Sequence, residues 1–145
     1  MKDFTLKIVT PEKVVLTDKV SQVSVTSSTG QITILSNHVP LVSQLAAGEI
    51  VVKQQGKEEN LMAVFGGFVE VVPGQVIILA DRVENVAEID EDRAEEARKR
   101  AEDALQDKKV DSAEFAALTA NLEKEMNRLR IVRKYKHKGI RTGKH

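Results

Sequence analysis

The sequence contains no cysteine, which excludes disulfide bonds, thiolate nucleophiles and cysteine-based metal sites. It has no tryptophan either, and aromatic residues make up only 3% of the chain. Hydrophobic residues still reach 41%, so we expect a core built from Val, Ile, Leu and Ala. At 145 residues, the chain has the size of one ordinary domain, or of a small domain with an appendage.

An excess of charge and long apolar segments are also absent. The 22 Lys and Arg residues balance the 22 Asp and Glu residues, so the formal net charge is zero and a nucleic-acid-binding protein is disfavoured. No apolar run approaches the ~18 residues of a transmembrane helix. The N-terminal residues have the composition of neither a signal peptide nor a transit peptide. We therefore expect a soluble cytoplasmic protein that does not insert into a membrane.

Catalytic motifs are missing as well. The sequence has no phosphate-binding loop, no nucleophile elbow and no dinucleotide-binding turn. Its histidines, His38, His137 and His145, lack the spacing of a metal site, and we interpret His38 as a solvated loop residue. The acidic cluster between residues 84 and 103 is more typical of the solvated face of a helix than of a general acid and base. We expect no catalytic residue, no metal and no required cofactor.

The first 84 residues have the apolar periodicity of β-strands. Phe4, Leu6 and Ile8 recur at every second position, as on one face of a strand. Further apolar runs follow at residues 20–25, 32–35, 50–53, 61–65, 68–72 and 76–79, and turn signals separate them, among them Gly30, Gly56, Gly66–Gly67 and Pro73–Gly74. Short strands at this spacing, with no helix between them, predict an all-β sandwich of about ten strands over residues 1–84.

Beyond residue 84 the periodicity becomes helical. Two apolar stripes predict helices over residues 90–106 and 112–135: Ala94, Ala97, Ala101, Ala104 and Leu105 in the first, and Phe115, Leu118, Leu122, Met126, Leu129 and Val132 in the second. Asp111 and Glu114 have the spacing of an N-cap and an N3 residue. The predicted fold class is thus α+β, a sandwich followed by an antiparallel two-helix hairpin over residues 85–136. Because the first stripe is mostly alanine, it buries little apolar surface, and the hairpin should be weakly held.

The C-terminal part of the chain is strongly basic. From residue 128 onward there are eight Lys or Arg residues and no acid: Arg128, Arg130, Arg133, Lys134, Lys136, Lys138, Arg141 and Lys144. One interpretation is a solvated basic tail, which we place at residues 137–145. The other is a basic helix that docks on an acidic partner surface, in which case the attraction should depend strongly on salt.

Four segments resemble the signature segments of one family. They are KIVTPE at 7–12, VTSSTGQITILSNHVPLV at 25–42, FGGFVEV at 65–71 and IDEDRA at 89–94. In this order, and over about residues 2–135, the chain resembles the epsilon subunit of bacterial F-type ATP synthases. The last segment is similar to the I/L-D-x-x-R-A motif of the bacterial members that bind ATP.

The resemblance implies a non-catalytic rotor subunit of the central stalk of a proton-translocating ATP synthase, held peripherally on the cytoplasmic side of the cell membrane. It implies that the sandwich binds the gamma subunit and rests on the c-ring. Gln31, Asn37 and His38 then lie near the polar loops of the c-ring. Members of the family often carry an acidic residue at the position of Gln31 and glycine at the position of Asn37.

For the hairpin, the resemblance implies a regulatory role. Folded against the sandwich the hairpin is permissive, and extended along gamma into the alpha/beta catalytic head it inhibits ATP hydrolysis. In the extended state, Arg130, Arg133 and Lys134 are expected to face an acidic segment of the beta subunits. An Ala-rich seam suits an element that must leave its packed state at a cost of a few kcal/mol.

The resemblance also implies a regulatory ATP that is not a substrate. Arg93 and Arg100 share one face of the first helix, Lys124 and Arg128 share one face of the second, and an antiparallel pair could bring all four to a triphosphate. The adenine is expected at Ile89 and Asp90, with Glu84 nearby. Lys124 stands where the nucleotide-binding members have Arg, and it cannot form a bidentate contact. The alternative is that Asp90 only caps the first helix and the arginines are solvated.

Without the resemblance, two other function classes have to be weighed. A β-sandwich adaptor with a helical interaction tail is compatible with the composition, and co-purification with gamma would separate it from a rotor subunit. An enzyme that uses the Glu/Asp cluster is disfavoured, because the sequence shows no paired acid and base.

Overall fold

The computed structural model describes residues 2–107 and 111–141, with side chains described up to residue 134. The chain forms two compact units, Met1–Asn85 and Val86–His145. The first unit contains eight strands: β1 (Phe4–Val9), β2 (Val14–Val20), β3 (Gln22–Ser27), β4 (Gly30–Leu35), β5 (Leu41–Lys53), β6 (Asn60–Val72), β7 (Gln75–Ala80) and β8 (Val83–Asn85). The second contains a 3₁₀ turn (Val86–Glu88) and the helices α1 (Glu91–Leu105) and α2 (Ser112–Arg141).

The strands follow the order β2-β1-β7-β6-β5-β3-β4, and β8 pairs with β6. The β1–β7 pair is parallel, and the other pairs are antiparallel. The two longest strands, β5 and β6, each have 13 residues and take part in both halves of the sheet. The segment Leu41–Leu45 of β5 pairs with Gly67–Val71 of β6, which also pairs with β7. The segment Ala47–Val52 of β5 lies between β3 and the first part of β6, and that part of β6 also pairs with β8.

Side chains from these two halves form one core. Leu6, Ile8 and Ile78 come from β1 and β7, whereas Val23 and Ile50 come from β3 and β5, and all five are fully buried in the same cluster. The strand β1 shows the predicted alternation, since Phe4, Leu6 and Ile8 are buried and the residues between them are only partly buried. The sheet therefore folds over on itself as a sandwich, as the sequence predicted.

The strand β6 passes through Gly66–Gly67, which the sequence analysis interpreted as a turn between two strands. That interpretation was wrong: the pair lies inside one continuous strand. Both glycines have positive φ, and a Cβ at Gly67 would lie 2.0 Å from the Leu79 carbonyl oxygen. Glycine is therefore required here for a close backbone approach as well as for its conformation.

The number of strands also differs from the prediction of about ten. The runs 61–65 and 68–72 merge into β6, and β5 extends N-terminally to Leu41. The strand β2 was not predicted as a separate strand, because its residues 17–19 are polar and exposed and leave no clear alternation.

The two helices begin close to the predicted residues. Asp90 is the N-cap of α1, and its side chain accepts a hydrogen bond from the Arg93 backbone N–H. Asp111 accepts in the same way from the Glu114 backbone N–H at 2.8 Å. Asx residues at these positions satisfy donors that the first turn leaves unpaired. The helix α2 ends at Arg141, beyond the predicted end at residue 135, and so includes part of the predicted basic tail.

The helices α1 and α2 pack against each other along the predicted alanine stripe. Ala94 and Ala101 are buried in α1, and Leu129 and Val132 are buried in α2. Two residues of the predicted α2 stripe, Phe115 and Met126, are about half exposed instead. Because alanine offers one methyl group, the contacts of Ala94 and Ala101 with α2 each bury little apolar area.

Candidate functional site

The entrance to α1 carries the start of the candidate nucleotide site. Ile89 is buried, and Asp90 holds the first turn through a 3.2 Å hydrogen bond to the Arg93 N–H. The Arg93 side chain is 87% exposed, and its Nε lies 4.0 Å from Asp90 Oδ2. Asp90 therefore has a structural role of its own, and any ligand contact would come in addition to the cap.

Glu84 belongs to the other unit. It lies in β8, and its Oε1 accepts a 2.6 Å hydrogen bond from Arg82 Nη2. Arg82 in turn lies with its guanidinium 5.8 Å from the centre of the Phe65 ring, within the range of a cation–π contact.

The four candidate phosphate-binding cations lie on the same flank of the helix pair. Arg93 and Arg100 each precede a buried alanine by one residue, so both project about 100° to one side of the seam. Glu91 and Glu95 project to the other side of α1 and contact Arg133 of α2. Since Lys124 and Arg128 lie on the opposite side of the buried α2 stripe from Arg133, they face the Arg93–Arg100 side. We call these four residues the cationic flank.

The contacts of Arg133 also fix the levels along the two antiparallel helices. Arg133 contacts Glu91 and Glu95, so it is level with about position 93 of α1. Seven residues along α1 lead to Arg100, and the same step back along α2 leads to position 126, between Lys124 and Arg128. These three cations are therefore level with one another, and Arg93 lies about 10 Å further along the pair.

A buried carboxylate, which the sequence analysis did not single out, lies within this flank. The Glu125 side chain is only 4% exposed, and its oxygens lie 2.6 Å from Arg128 Nη1 and 3.6 Å from Lys124 Nζ. A buried carboxylate requires such partners because desolvation of its charge is costly. Two of the four cations are thus partly neutralised inside the protein. The i,i+3 spacing of Glu125 and Arg128 was the available sequence signal.

The opposite flank carries an ionic cluster of Arg133, Glu91, Glu95, Arg98 and Glu102, which we call the Arg133 cluster. Arg133 Nε lies 3.0 Å from Glu91 Oε2, and Arg133 Nη2 lies 3.1 Å from Glu95 Oε2. The other Glu95 oxygen accepts a 2.6 Å hydrogen bond from Arg98, which also pairs with Glu102.

Charge pairing in this cluster shifts pKa values. The hydrogen bond from Arg98 lowers the pKa of Glu95 below its ordinary value, and Arg133 adds to the effect. The hydrogen bond to Glu91 raises the pKa of Arg133. The partners of Glu95 are Arg98 in the same helix and Arg133 in the other helix. The partner across the hairpin lay outside any local spacing rule, since 38 residues separate Glu95 from Arg133.

The other candidate partner-binding residues of α2 have different surroundings. Arg130 is exposed and pairs with the Asn127 side chain, whose amide oxygen accepts the hydrogen bond. Lys134 is exposed. The side chains of Lys136, Lys138, Arg141 and Lys144 lie outside the described residues.

The three candidate c-ring residues lie at the two ends of β4. Gln31 is exposed next to the β3–β4 turn, opposite Thr26. Asn37 and His38 follow the far end of the strand, and His38 Nδ1 lies 2.7 Å from the Val39 carbonyl oxygen. From Gln31 to Leu35 the strand covers roughly 13 Å, so these residues do not form one compact cluster. Asn37 has φ of 63°, a conformation that Asn tolerates better than most side chains.

An apolar strip on the outside of the sandwich is a further candidate surface that sequence reasoning missed. Phe68 lies opposite Leu79, Leu79 opposite Val9, and Val9 opposite Val14, so the strip crosses β6, β7, β1 and β2. Phe68, Leu79 and Val14 are each more than half exposed. Continuous apolar patches of this kind on a sheet are typical of protein–protein contacts. Strand register was the information needed to find it.

The described residues contain neither a metal-binding cluster nor a membrane-spanning helix. Within residues 2–107 and 111–141, no three or more His, Cys, Asp and Glu side chains are placed to hold a metal ion. Neither helix, over its described length, has the length and apolarity needed to cross a membrane.

Comparison with known proteins covers nearly the whole chain. The family model described as ATP synthase, Delta/Epsilon chain, beta-sandwich domain, matches residues 3–86, and the corresponding long alpha-helix domain matches residues 87–133. The ATP synthase epsilon chain of Chloroflexus aggregans is 44% identical over 133 residues, covering 92% of this chain and 94% of the relative. That of Halalkalibacterium halodurans is 40% identical over 131 residues, covering 90% and 98%.

Solved structures show the same fold. A chain of the mitochondrial ATP synthase of Euglena gracilis aligns with a TM-score of 0.76 at 23% identity, covering 88% of this chain and 79% of that chain. A chain from the central stalk and c-ring of the Tetrahymena thermophila enzyme aligns with a TM-score of 0.57 at 14% identity, covering 88% and 95%. The matched family models and the epsilon-chain relatives confirm the predicted resemblance: the chain belongs to the ATP synthase delta/epsilon family, as an epsilon subunit.

Proposed function

We propose that the chain is a non-catalytic rotor subunit in the central stalk of a proton-translocating ATP synthase, peripheral to the cytoplasmic side of the bacterial membrane. The sandwich binds the gamma subunit and contacts the c-ring. The helical hairpin regulates ATP hydrolysis and needs no cofactor for this, although ATP is a regulatory ligand. The Euglena and Tetrahymena assemblies, which include a c-ring, support this placement.

The apolar strip carries the gamma-binding part of the proposal. Its members, Val9, Val14, Phe68 and Leu79, occupy one face of four neighbouring strands; Val14, Phe68 and Leu79 are exposed and Val9 is half-buried. Burying such a strip against a partner is favourable at roughly 25 cal/mol per Å² of apolar area. We therefore assign the strip to gamma and the loop residues Gln31, Asn37 and His38 to the c-ring.

The hairpin carries the regulatory part. Its seam rests on Ala94 and Ala101 in α1, so separating the helices exposes little apolar surface. Extended into the alpha/beta head, α2 would bring Arg130, Arg133 and Lys134 to acidic groups of the beta subunits and obstruct rotation. Charge pairs in a partly desolvated interface are worth more than exposed pairs.

The cationic flank supports a regulatory ATP. Arg100, Lys124 and Arg128 are level across the hairpin, and a triphosphate lying along the flank could reach Arg93 at the entrance of α1. Because the site uses both helices, bound ATP would favour the compact hairpin by mass action. Glu125 already neutralises part of the charge of Lys124 and Arg128, so the affinity for ATP should be moderate.

Gamma binding tests the rotor assignment. We expect residues 1–85 to fold alone, because the core of the sandwich lies within that unit, and to co-elute with gamma. In the full chain, Phe68→Gln with Leu79→Thr should abolish co-elution. The matched control is Leu35→Thr with Val39→Thr, which changes two exposed apolar residues outside the strip and should leave binding intact. A folded strip variant that still binds gamma like the wild type would overturn the assignment.

A further inference from the structure

The Arg133 cluster joins the two helices through hydrogen bonds between charged side chains. Arg133 of α2 reaches Glu91 and Glu95 of α1 with two different nitrogen atoms, at 3.0 and 3.1 Å. Both acids come from the exposed or half-buried side of α1, outside the alanine seam. The cluster is therefore an ionic contact that lies beside the apolar one.

The acids that hold Arg133 are themselves held in position. Glu95 uses one oxygen for Arg133 and the other for Arg98, and Arg98 also pairs with Glu102. Glu91 and Glu95 are one helical turn apart, so their carboxylates form a fixed receptor for one guanidinium. Prior ordering of these side chains lowers the entropy cost of adding Arg133.

The same guanidinium belongs to the set that the proposed function assigns to the catalytic head. Arg133 cannot pair with Glu91 and Glu95 and with acids of a beta subunit at once. Since the α1 side of the seam is mostly alanine, an ionic contact makes up a larger share of what holds the helices together than it would if α1 presented leucines.

We propose that Glu91 and Glu95 form a charge latch that keeps the hairpin closed and masks Arg133 from acidic partner surfaces, so that opening exchanges an internal carboxylate pair for an external one. This rests on the proposed function, because the external carboxylates are those of the inhibited complex. Glu91 and Glu95 thus compete with the acids of the beta subunits for Arg133. They lie on the flank opposite the proposed nucleotide site.

The test compares two matched variants of the full chain. The latch variant is Glu91→Gln with Glu95→Gln. The control, Glu96→Gln with Asp103→Asn, removes two exposed acids from the solvent face of the same helix. Because the chain has no cysteine, spin labels can be attached through Cys introduced at the exposed positions Lys99 and Glu123. The separation of the labels then reports the open fraction of the isolated subunit.

In the latch variant we expect the open fraction to rise about two- to fivefold, as for loss of exposed ion pairs, whereas the control stays at the wild-type value. In the assembled complex, the latch variant should hydrolyse ATP more slowly than the wild type. Arg133→Ala should open the isolated hairpin to a similar degree without slowing hydrolysis. Unchanged label separation in the latch variant would overturn the latch.

A third sample separates this proposal from the function on which it rests. Complexes whose subunit ends at Asp90 lack both helices, so the proposed function predicts that hydrolysis is faster than with the full chain. If it is not, the inhibitory function is wrong, while an opened latch variant still supports the latch. If the truncation accelerates hydrolysis but the open latch variant does not slow it, the proposed exchange is wrong.

Discussion

Glu125 and Arg128 form a 2.6 Å ion pair in which the carboxylate is almost completely buried and the guanidinium is one-fifth exposed. The pair lies within the flank that we propose for the phosphates of ATP. On that proposal, Glu125 would compete with the nucleotide for Arg128, and also for Lys124, whose Nζ lies 3.6 Å from a Glu125 oxygen. Affinity for ATP should depend on this internal acid.

Glu125→Gln should tighten ATP binding by about three- to tenfold, since removal of a negative charge close to the phosphates favours them. Glutamine keeps the shape of the side chain. Isothermal titration calorimetry on the isolated subunit measures the effect, with the neighbouring exposed Glu123→Gln as control. Equal affinity in Glu125→Gln and wild type would place the phosphates elsewhere.

The role of Asp90 can be divided into cap and ligand. Asp90→Ala should lower the stability of α1 by about 1 kcal/mol through loss of the cap, whether or not ATP is present. Asp90→Asn should keep the cap, because the amide oxygen can still accept from the Arg93 N–H. Thermal melts with and without millimolar ATP separate the two functions.

For the same melts, Arg93→Ala should abolish the stabilisation by ATP without changing the stability of the free protein, since its side chain is almost fully exposed. Equal melting temperatures of the wild type with and without ATP would remove the site and leave Asp90 as a cap only.

Gly67 provides a test of the sandwich. Gly67→Ala should lower the free energy of unfolding by about 3 kcal/mol or more. The new Cβ would lie 2.0 Å from the Leu79 carbonyl oxygen, and alanine would also have to adopt a φ of 130°. Gly30→Ala is a matched control: its φ is 135°, but no atom lies within 4 Å of the new Cβ. Urea unfolding of residues 1–85 should show a clearly larger loss for Gly67→Ala. Equal losses would mean that conformation alone, and not close approach, requires glycine here.

The helical hairpin should lose stability in acid. The pKa of Glu95 is lowered in the folded hairpin, mainly by Arg98, so its contribution is present above the ordinary glutamate pKa and is lost as the pH falls through the lowered value. Circular dichroism melts of the isolated subunit between about pH 5 and about pH 3 follow this loss. Glu95→Gln should flatten the dependence, whereas Glu96→Gln should retain it. A wild-type slope in Glu95→Gln would assign the effect to other carboxylates.

Local patterns in the sequence predicted much of this fold. The alternation of Phe4, Leu6 and Ile8 predicted β1, and the Asp90 cap and the alanine stripe predicted α1. These signals depend only on residues a few positions apart in the sequence. The continuity of β6 through Gly66–Gly67 was not predictable in this way. A glycine pair ends a strand in one context and lies within a strand in another, and here the tertiary approach of the Leu79 carbonyl requires glycine inside the strand.

The candidate sites divide along the same line. Arg93 with Arg100, and Lys124 with Arg128, followed from helical spacing. The pairing of Arg133 with Glu91 joins residues 42 apart and requires the register of the hairpin. The apolar strip through Phe68 and Leu79 likewise requires the register between strands. Neither the Arg133 cluster nor the apolar strip could therefore be predicted without long-range register.

The charge of α2 should contribute to inhibition. Replacing Arg130, Arg133 and Lys134 by alanine should raise ATP hydrolysis by the assembled complex, with assembly unchanged, because the proposed contacts with beta-subunit acids are lost. Added salt should reproduce part of this effect by screening. If the triple variant is no faster than the wild type while removal of the hairpin is faster, the hairpin obstructs rotation by its bulk and not by its charge.

The most direct test of a regulatory hairpin is the steady-state rate of ATP hydrolysis in matched complexes that contain either the full chain or a chain ending at Asp90. The shortened chain keeps the sandwich and its apolar strip, so assembly with gamma should be preserved and can be checked by co-elution. We predict faster hydrolysis with the shortened chain. The same rate in both complexes, at equal assembly, would contradict the regulatory role of α1 and α2.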